Sequence, residues 1–111
     1  MSYKVEISYQ ASSDLREIFE HIALYMLSPI NAAGQLKRLE DSIETLTELP
    51  NRFSEYKSEP WKSRGLRMMP VDNYCVFYFP DEEEHTVYIV RVMYGGRDMQ
   101  TELNRGMEIE D

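Results

Sequence analysis

Apolar and polar residues alternate at the start of the chain and then recur at helical spacing. Positions 3–9 alternate with a period of two, which predicts a first strand with one buried face. Ser12 or Ser13 can cap a helix that continues to about Leu27, and Asp14 and Glu17 add negative charge near its first turn. The apolar stripe of this first helix is Leu15, Ile18, Phe19, Ile22 and Tyr25.

A second helix is predicted immediately after the first. Ser28 and Pro29 form a start signal, because a proline at the first helical position loses no hydrogen bond. Pro50 ends the pattern. The apolar stripe of this second helix is Ala32, Leu36, Leu39, Ile43 and Leu46. The short break between the two helices predicts an antiparallel hairpin.

The second half of the chain reads as one loop followed by three strands. Positions 51–63 are polar, with isolated aromatic residues, and predict an ordered loop. The strands are predicted at Leu66–Val71, Tyr74–Phe79 and Thr86–Tyr94, with turn-forming residues between them. The order β-α-α-β-β-β predicts an α+β fold, an antiparallel sheet with a two-helix hairpin packed on one face.

This layout leaves the other sheet face open, so we expect functional residues there. Residues 1–98 are predicted to form a single domain. Residues 99–111 are polar, are predicted to hold at most one helical turn, and are expected to be a mobile tail.

Composition narrows the classes of function. The 111 residues include 12 Lys and Arg against 20 Asp and Glu, for a net charge of −8, which opposes loose binding to nucleic acid. Cys75 is the single cysteine, and no His/Cys spacing fits zinc, so we expect neither a disulfide nor a metal or other cofactor. No signal peptide or apolar run of membrane-spanning length is evident, which predicts a cytoplasmic protein without a membrane partner.

Several stretches together resemble the RelE/ParE superfamily of toxins from bacterial type II toxin–antitoxin systems. They are residues 64–78, residues 87–98, the Ala11-x-x-Asp14-Leu15 run and the Leu46–Pro50 end of the second helix. The order of the predicted elements along the chain is part of the resemblance. The resemblance implies a cognate antitoxin, a possible heterotetramer with it, growth arrest and plasmid stabilisation. Members similar to RelE cut messenger RNA on the ribosome without a metal, whereas members similar to ParE poison DNA gyrase through a protein contact.

Three residues are candidates for catalysis if the chain is a ribonuclease. Arg67 and Arg97 match basic positions of the RNA-cleaving members, and Tyr94 could hold a proton or stack on a base. Each also has a structural reading. Arg67 would be a solvated strand residue, Tyr94 a core aromatic, and Arg97 a partner of Asp98 or Glu102. Whether Arg64, Arg67, Arg91 and Arg97 converge on one basic patch stays open, and strict alternation puts Arg91 with Val87, Ile89 and Met93.

Cys75 is the main departure from the RNA-cleaving members, which usually carry an arginine there. A cysteine supplies no fixed positive charge, and we interpret it as a small buried apolar residue rather than a nucleophile. His21 is expected on a helix surface, and His85 is expected to be a charge partner of Glu83 or Glu84. Neither histidine has the support expected of a general acid.

The cysteine in place of the usual arginine, the lack of a suitably placed histidine and the excess of acidic residues favour a ParE-like toxin. Such a toxin inhibits a target such as DNA gyrase by protein binding. The alternatives are a ribosome-dependent mRNA endonuclease of RelE type, which would be metal-independent, and a non-toxic interaction module that binds a peptide. A small-molecule enzyme has no supporting motif.

Overall fold

The computed structural model describes residues 2–96 and 98–106. The chain folds into a four-stranded sheet with helices on both sides. The elements in chain order are β1 (Lys4–Ile7), α1 (Tyr9–Glu20), α2 (Pro29–Glu44), β2 (Arg67–Val71), β3 (Tyr74–Asp81), β4 (Thr86–Tyr94) and α3 (Met99–Gly106). A π-helical turn, His21–Tyr25, extends α1, and 3-10 turns at Thr45–Thr47 and Pro50–Arg52 follow α2.

Helix α1 begins earlier than the sequence predicted. Its cap is Ser8, whose hydroxyl accepts a hydrogen bond from the Ala11 amide at 3.0 Å, so Ser12 and Ser13 lie inside the helix. The alternating pattern predicts a strand that continues through Tyr9 and therefore a later cap, whereas the strand ends at Ile7. A serine directly after a strand satisfies the first free helical amides without an intervening loop.

The sheet is mixed, which corrects the prediction of a purely antiparallel one. The strand order is β1-β4-β3-β2, and β1 runs parallel to β4 while the other pairs are antiparallel. The helix pair carries the chain from β1 to the opposite edge, and the β2-β3-β4 meander then returns beside β1 in the same direction. A period-two pattern specifies a strand but not the direction of its neighbour.

Helices α1 and α2 bury one face of the sheet, as predicted. The core on this helix face includes Leu15, Leu39 and Ile43 from the helices and Val76 and Ile89 from the central strands. Helix α2 ends at Glu44, six residues before Pro50, and the 3-10 turn Thr45–Thr47 continues to bury Leu46. With the exception of Tyr25, which is exposed, the residues of the two predicted amphipathic stripes are buried or partly buried.

The opposite face of the sheet is covered, contrary to the expectation that it would be open. The segment 56–66 and helix α3 lie over it and form a second core. Its buried members, which we call the second-face cluster, are Trp61, Leu66, Cys75, Phe77, Met93 and Leu103. The residues that close this face come from the predicted loop and the predicted tail, neither of which has an extended amphipathic pattern.

Helix α3 occupies residues for which the sequence predicted at most one helical turn. Asp98 caps it, accepting from the Thr101 amide at 3.3 Å and the Thr101 hydroxyl at 2.8 Å. Leu103 is fully buried, and the indole N–H of Trp61 donates to Oδ1 of Asn104 at 2.9 Å. Met99 and Leu103, four residues apart, form one short apolar stripe, which is too brief to stand out in a polar sequence. The rest of the predicted tail, residues 107–111, lies outside the described residues.

Strand β4 contains an irregularity that changes which side chains share a face. Phe77 pairs with Arg91 and Tyr78 pairs with Ile89, so Val90 is an extra residue. Val90 and Met93 pack with the second-face cluster, whereas Val92 packs on the helix face. The strict alternation that grouped Arg91 with Val87, Ile89 and Met93 is therefore wrong, because a bulge shifts the register by one residue.

Candidate functional site

Arg67 is positioned by β2, where it pairs with Tyr78 of β3. Tyr78 belongs to the helix-face core, so Arg67 lies on that face and not on the face where a site was expected. Its guanidinium donates to the Phe53 carbonyl at 2.6 Å and to the Asn51 carbonyl at 3.3 Å, and it lies 3.6 Å from Glu55. The side chain is only 20% exposed, so its charge holds the segment after α2 against the sheet.

Tyr94 ends β4 and pairs with Tyr74 of β3. The two rings meet edge to face at a centroid distance of 5.8 Å, and Tyr94 is half exposed. The chain turns closely around this ring, because a Cβ on Gly96 would lie 2.8 Å from Cε2 of Tyr94. Tyr94 therefore combines an aromatic packing contact with a surface position.

The structure does not bring Arg67 and Tyr94 together. Their partners on β3, Tyr78 and Tyr74, are four residues apart, which corresponds to roughly 13 Å along a strand. The guanidinium of Arg67 is bound to the Phe53 carbonyl, so the two side chains do not converge on one point. Arg97, the third candidate, lies outside the described residues.

Cys75 is buried in the second-face cluster. Burial raises the pKa of its thiol, because the thiolate would lose its hydration there. The thiol is therefore protonated near neutral pH and acts as a small apolar residue. The position at which RNA-cleaving relatives usually carry an arginine holds a neutral group underneath helix α3.

Arg91 and Arg64 make contacts within the fold. Arg91 is buried and donates from Nε to Oδ2 of Asp14 at 2.8 Å and from Nη2 to Oδ1 at 3.1 Å, while Nη1 donates to the Glu102 carbonyl at 3.1 Å. The guanidinium of Arg64 lies 5.1 Å from the centre of the Trp61 ring. Among residues 2–96, Arg64, Arg67 and Arg91 therefore do not share one basic patch.

The two histidines lie away from these residues. His85 has a φ of +51° in the β3–β4 turn, and its ring stacks on Tyr3 at 5.1 Å, a packing role that the charge-partner prediction missed. His21 is exposed in the π-helical turn, and its ring lies 5.2 Å from that of Tyr25. Within the described ranges, no group of three or more His, Cys, Asp or Glu side chains is arranged to hold a metal ion.

A large exposed apolar surface lies where α1 and α2 meet. Tyr25 was assigned to the buried stripe of the first helix, but it is 80% exposed. In the π-helical turn each hydrogen-bonded ring contains one residue more than in an α-helix, and this change of period moves Leu24 and Tyr25 away from the buried stripe. The sequence contains a signal for this surface. An amphipathic helix needs apolar residues only at every third or fourth position, whereas here several apolar residues follow one another directly. Its exposed members are Leu24, Tyr25, Met26, Leu27 and Ile30.

No helix in the described part of the chain is both long enough and apolar enough to span a bilayer. Comparison with known families gives one match over most of the sequence. Residues 5–99 match the model of the ParE toxin of the type II toxin–antitoxin system parDE. No curated protein sequence gives a significant match.

Solved toxin structures share this fold. A chain of the chromosomal ParDE toxin–antitoxin system from P. aeruginosa superposes with a TM-score of 0.69 at 17% identity, covering 84% of this chain and 96% of that one. A chain of the RelBE2 toxin–antitoxin complex from Mycobacterium tuberculosis gives 0.63 at 22% identity, with coverages of 85% and 99%. The isolated E. coli RelE toxin gives 0.59 at 14% identity, with coverages of 94% and 97%. At these identities the likeness shows a common fold.

Proposed function

Because this chain belongs to the ParE toxin family of type II toxin–antitoxin systems, we propose that it inhibits its cellular target by binding a protein rather than by cutting RNA. DNA gyrase is the target we propose, as in the ParE-like members that the sequence resembles. The observation that carries the proposal is the second-face cluster, which fills the sheet face where the sequence led us to expect functional residues.

Metal-free RNA cleavage makes demands that this face does not meet. It needs a base for the 2′-hydroxyl, cations for the developing negative charge and an acid for the leaving oxygen, all within reach of one phosphate. Here the face carries Cys75, Phe77 and Met93 under Trp61 and Leu103, all of them nearly or fully buried. An apolar, covered surface offers neither access nor charge to an RNA strand.

The charge distribution supports the same proposal. Arg67 and Arg91 are bound to carbonyl groups and carboxylates inside the fold, so neither is free to neutralise a phosphate. The net charge of −8 opposes the counterion release that drives nucleic-acid binding. Contact with a protein surface does not require a basic toxin.

We propose a cognate antitoxin as the partner that neutralises the toxin, with a heterotetramer as the possible assembly. The solved neighbours include an archaeal RelE–RelB complex from Pyrococcus horikoshii and the RelBE2 complex, so this fold is found together with antitoxins. We propose a cytoplasmic location, where such a toxin would meet gyrase. Its release from the antitoxin would arrest growth and so stabilise a plasmid that carries both genes.

The experiment is a supercoiling assay with purified gyrase and the purified chain. We expect inhibition of supercoiling and retention of gyrase subunits on the immobilised toxin. The matched variant is Arg67→Ala/Arg97→Ala, with folding checked by circular dichroism, and it should inhibit gyrase as the wild type does.

The alternatives give different results. If translating ribosomes with added toxin yield cut messages, and the double variant abolishes the cutting while remaining folded, the chain is a metal-independent endonuclease of RelE type. The half-exposed Tyr94 is the observation that favours that alternative. No effect on gyrase, ribosomes or growth would leave a non-toxic peptide-binding module.

A further inference from the structure

The loop between the first two helices exposes apolar side chains that the fold does not use. We call Leu24–Ile30 the hairpin tip. Five of its seven residues are large and apolar, and each is between 61% and 86% exposed. Contiguous apolar surface of this kind on a small protein usually marks a site of protein interaction.

The backbone conformation of Leu27 adds strain to the hairpin tip. Its φ is +54°, a left-handed conformation in which the Cβ of any residue but glycine crowds the backbone. The amides on either side close the turn, since Met26 donates to the His21 carbonyl at 3.0 Å and Ser28 to the Ile22 carbonyl at 3.1 Å. Helices that end in this way usually carry glycine at this position. A leucine there is strained and also 82% exposed, so the free chain gains nothing from its side chain.

The surroundings of the hairpin tip are acidic. No Lys or Arg occurs between Glu17 and Leu36. Glu17, Glu20 and His21 line a surface depression of about 390 Å³ together with Leu24 and Tyr25. A partner that fits this surface has apolar side chains for the tip and Lys or Arg for the carboxylates beside it.

We propose that the hairpin tip is the docking surface for the cognate antitoxin, which would present an apolar segment flanked by basic residues. This inference rests on the proposed function only in taking the chain to be a toxin that has an antitoxin. The apolar character fits a partner that stays bound, because long-lived interfaces are more apolar than transient ones.

A second copy of the chain fits the hairpin tip less well. A two-fold dimer through the tip would place the same patch on both sides. Glu17 and Glu20 of one copy would then approach the same carboxylates of the other, and each chain carries a net charge of −8. Charge complementarity therefore favours a different, basic partner.

Leu27→Gly tests the proposal, and Leu49→Gly is its matched control. Leu49 is also a left-handed residue, with φ of +49°, and is 75% exposed, but it lies beyond the opposite end of α2. Both variants should fold and keep or raise the melting temperature, because glycine relieves the backbone strain. Affinity is measured by calorimetry with the purified product of the adjacent gene. Leu27→Gly should weaken it at least tenfold, and Leu49→Gly should leave it unchanged.

A charge variant tests the basic character of the partner. Glu17→Lys/Glu20→Lys should weaken binding by a similar factor, with a larger effect at low salt than at high salt. In cells without antitoxin, Leu27→Gly and the charge variant should arrest growth as the wild type does. Co-expressed antitoxin should fail to rescue them while it still rescues Leu49→Gly.

Three results would overturn the proposal. The first is an unchanged antitoxin affinity for Leu27→Gly. The second is loss of toxicity without loss of antitoxin affinity, which would assign the tip to the target. The third is a wild-type dimer in sedimentation that Leu27→Gly dissociates while antitoxin affinity is unchanged. A wild-type chain that binds the adjacent gene product through the tip but arrests no cell would instead refute the proposed function and leave the docking surface intact.

Discussion

The two faces of the sheet are covered by different kinds of structure. On the helix face, α1 and α2 contribute two regular apolar stripes and bury residues such as Leu39 and Ile43 completely or nearly so. On the other face, an irregular segment and the eight-residue α3 contribute a few single anchors, chiefly Trp61 and Leu103. The helix face is therefore a continuous core, whereas the second face depends on a small number of side chains. That difference implies different local stabilities.

Arg91 is the residue that joins the two coverings. It lies in the β4 bulge, binds Asp14 of α1 and donates to the Glu102 carbonyl of α3. Asp14 also accepts from the Val92 amide at 2.9 Å, next to the point where β1 has ended. The buried Asp14 carboxylate thus takes the place of a strand carbonyl beyond the end of β1. Through Arg91 it also connects α1 to α3.

Asp14→Ala should have the largest effect on stability. It leaves the buried Arg91 guanidinium and the Val92 amide without their partner, which costs about 3–5 kcal/mol of unfolding free energy. Denaturation in urea measures the loss. Asp41→Ala, which removes an exposed pair with Lys37, is the control and should cost less than about 1 kcal/mol. A similar small loss for both variants would show that Arg91 does not join the two faces.

Leu103→Ala should open the second face while the helix face stays folded. Removing a buried leucine side chain lowers the free energy of unfolding by about 2–5 kcal/mol. A short helix that is held by few side chains can respond by detaching from the sheet. Cys75 reports the opening, because burial raises its thiol pKa and protects it from alkylation. Alkylation at pH 8 should be much faster in Leu103→Ala than in the wild type.

Leu39→Ala is the matched change on the helix face, where the side chain is also fully buried. It should lower global stability by a similar amount, but alkylation of Cys75 should then follow global unfolding in urea. Equal alkylation behaviour in the two variants would mean that the two faces unfold as one unit.

The same difference explains what the sequence could predict. The stripes of α1 and α2 and the period-two strands are long enough to identify, so the α+β class and the order of the first six elements followed from them. Helix α3 has only Met99 and Leu103 as an apolar signal. The parallel pairing of β1 and the Val90 bulge depend on tertiary contacts that no local pattern encodes. Arg67 is a candidate site residue because it matches a basic position of the RNA-cleaving members that the sequence resembles, but this match does not show which face of the sheet the side chain occupies.

Tyr78→Phe probes the helix face and should have a smaller effect than Asp14→Ala, Leu103→Ala or Leu39→Ala. The Tyr78 hydroxyl donates to the Pro50 carbonyl at 2.6 Å, and loss of this bond should cost about 1–2 kcal/mol. Burial raises the pKa of Tyr78 to about 12 from an ordinary value near 10, although the guanidinium groups of Arg67 and Arg52 act in the opposite direction.

The raised pKa gives the wild type a dependence on alkaline pH. Because the phenol stays protonated in the folded chain after it ionises in the unfolded one, its contribution to the free energy of unfolding is fully present below about pH 10 and is lost as the pH rises from about 10 to 12. Urea denaturation between pH 8 and 11 should show a shallower decline for Tyr78→Phe than for the wild type. An identical decline would mean that Tyr78 is not buried as described.

The covered second face is the basis for our proposal that this toxin acts by binding a protein, and a measurement in cells tests that proposal. The wild-type chain is induced in a bacterium without antitoxin, and DNA and protein synthesis are followed separately by pulse labelling. We expect DNA synthesis to stop first, in filamentous cells whose messages stay intact. An early stop in protein synthesis with fragmented messages would contradict it.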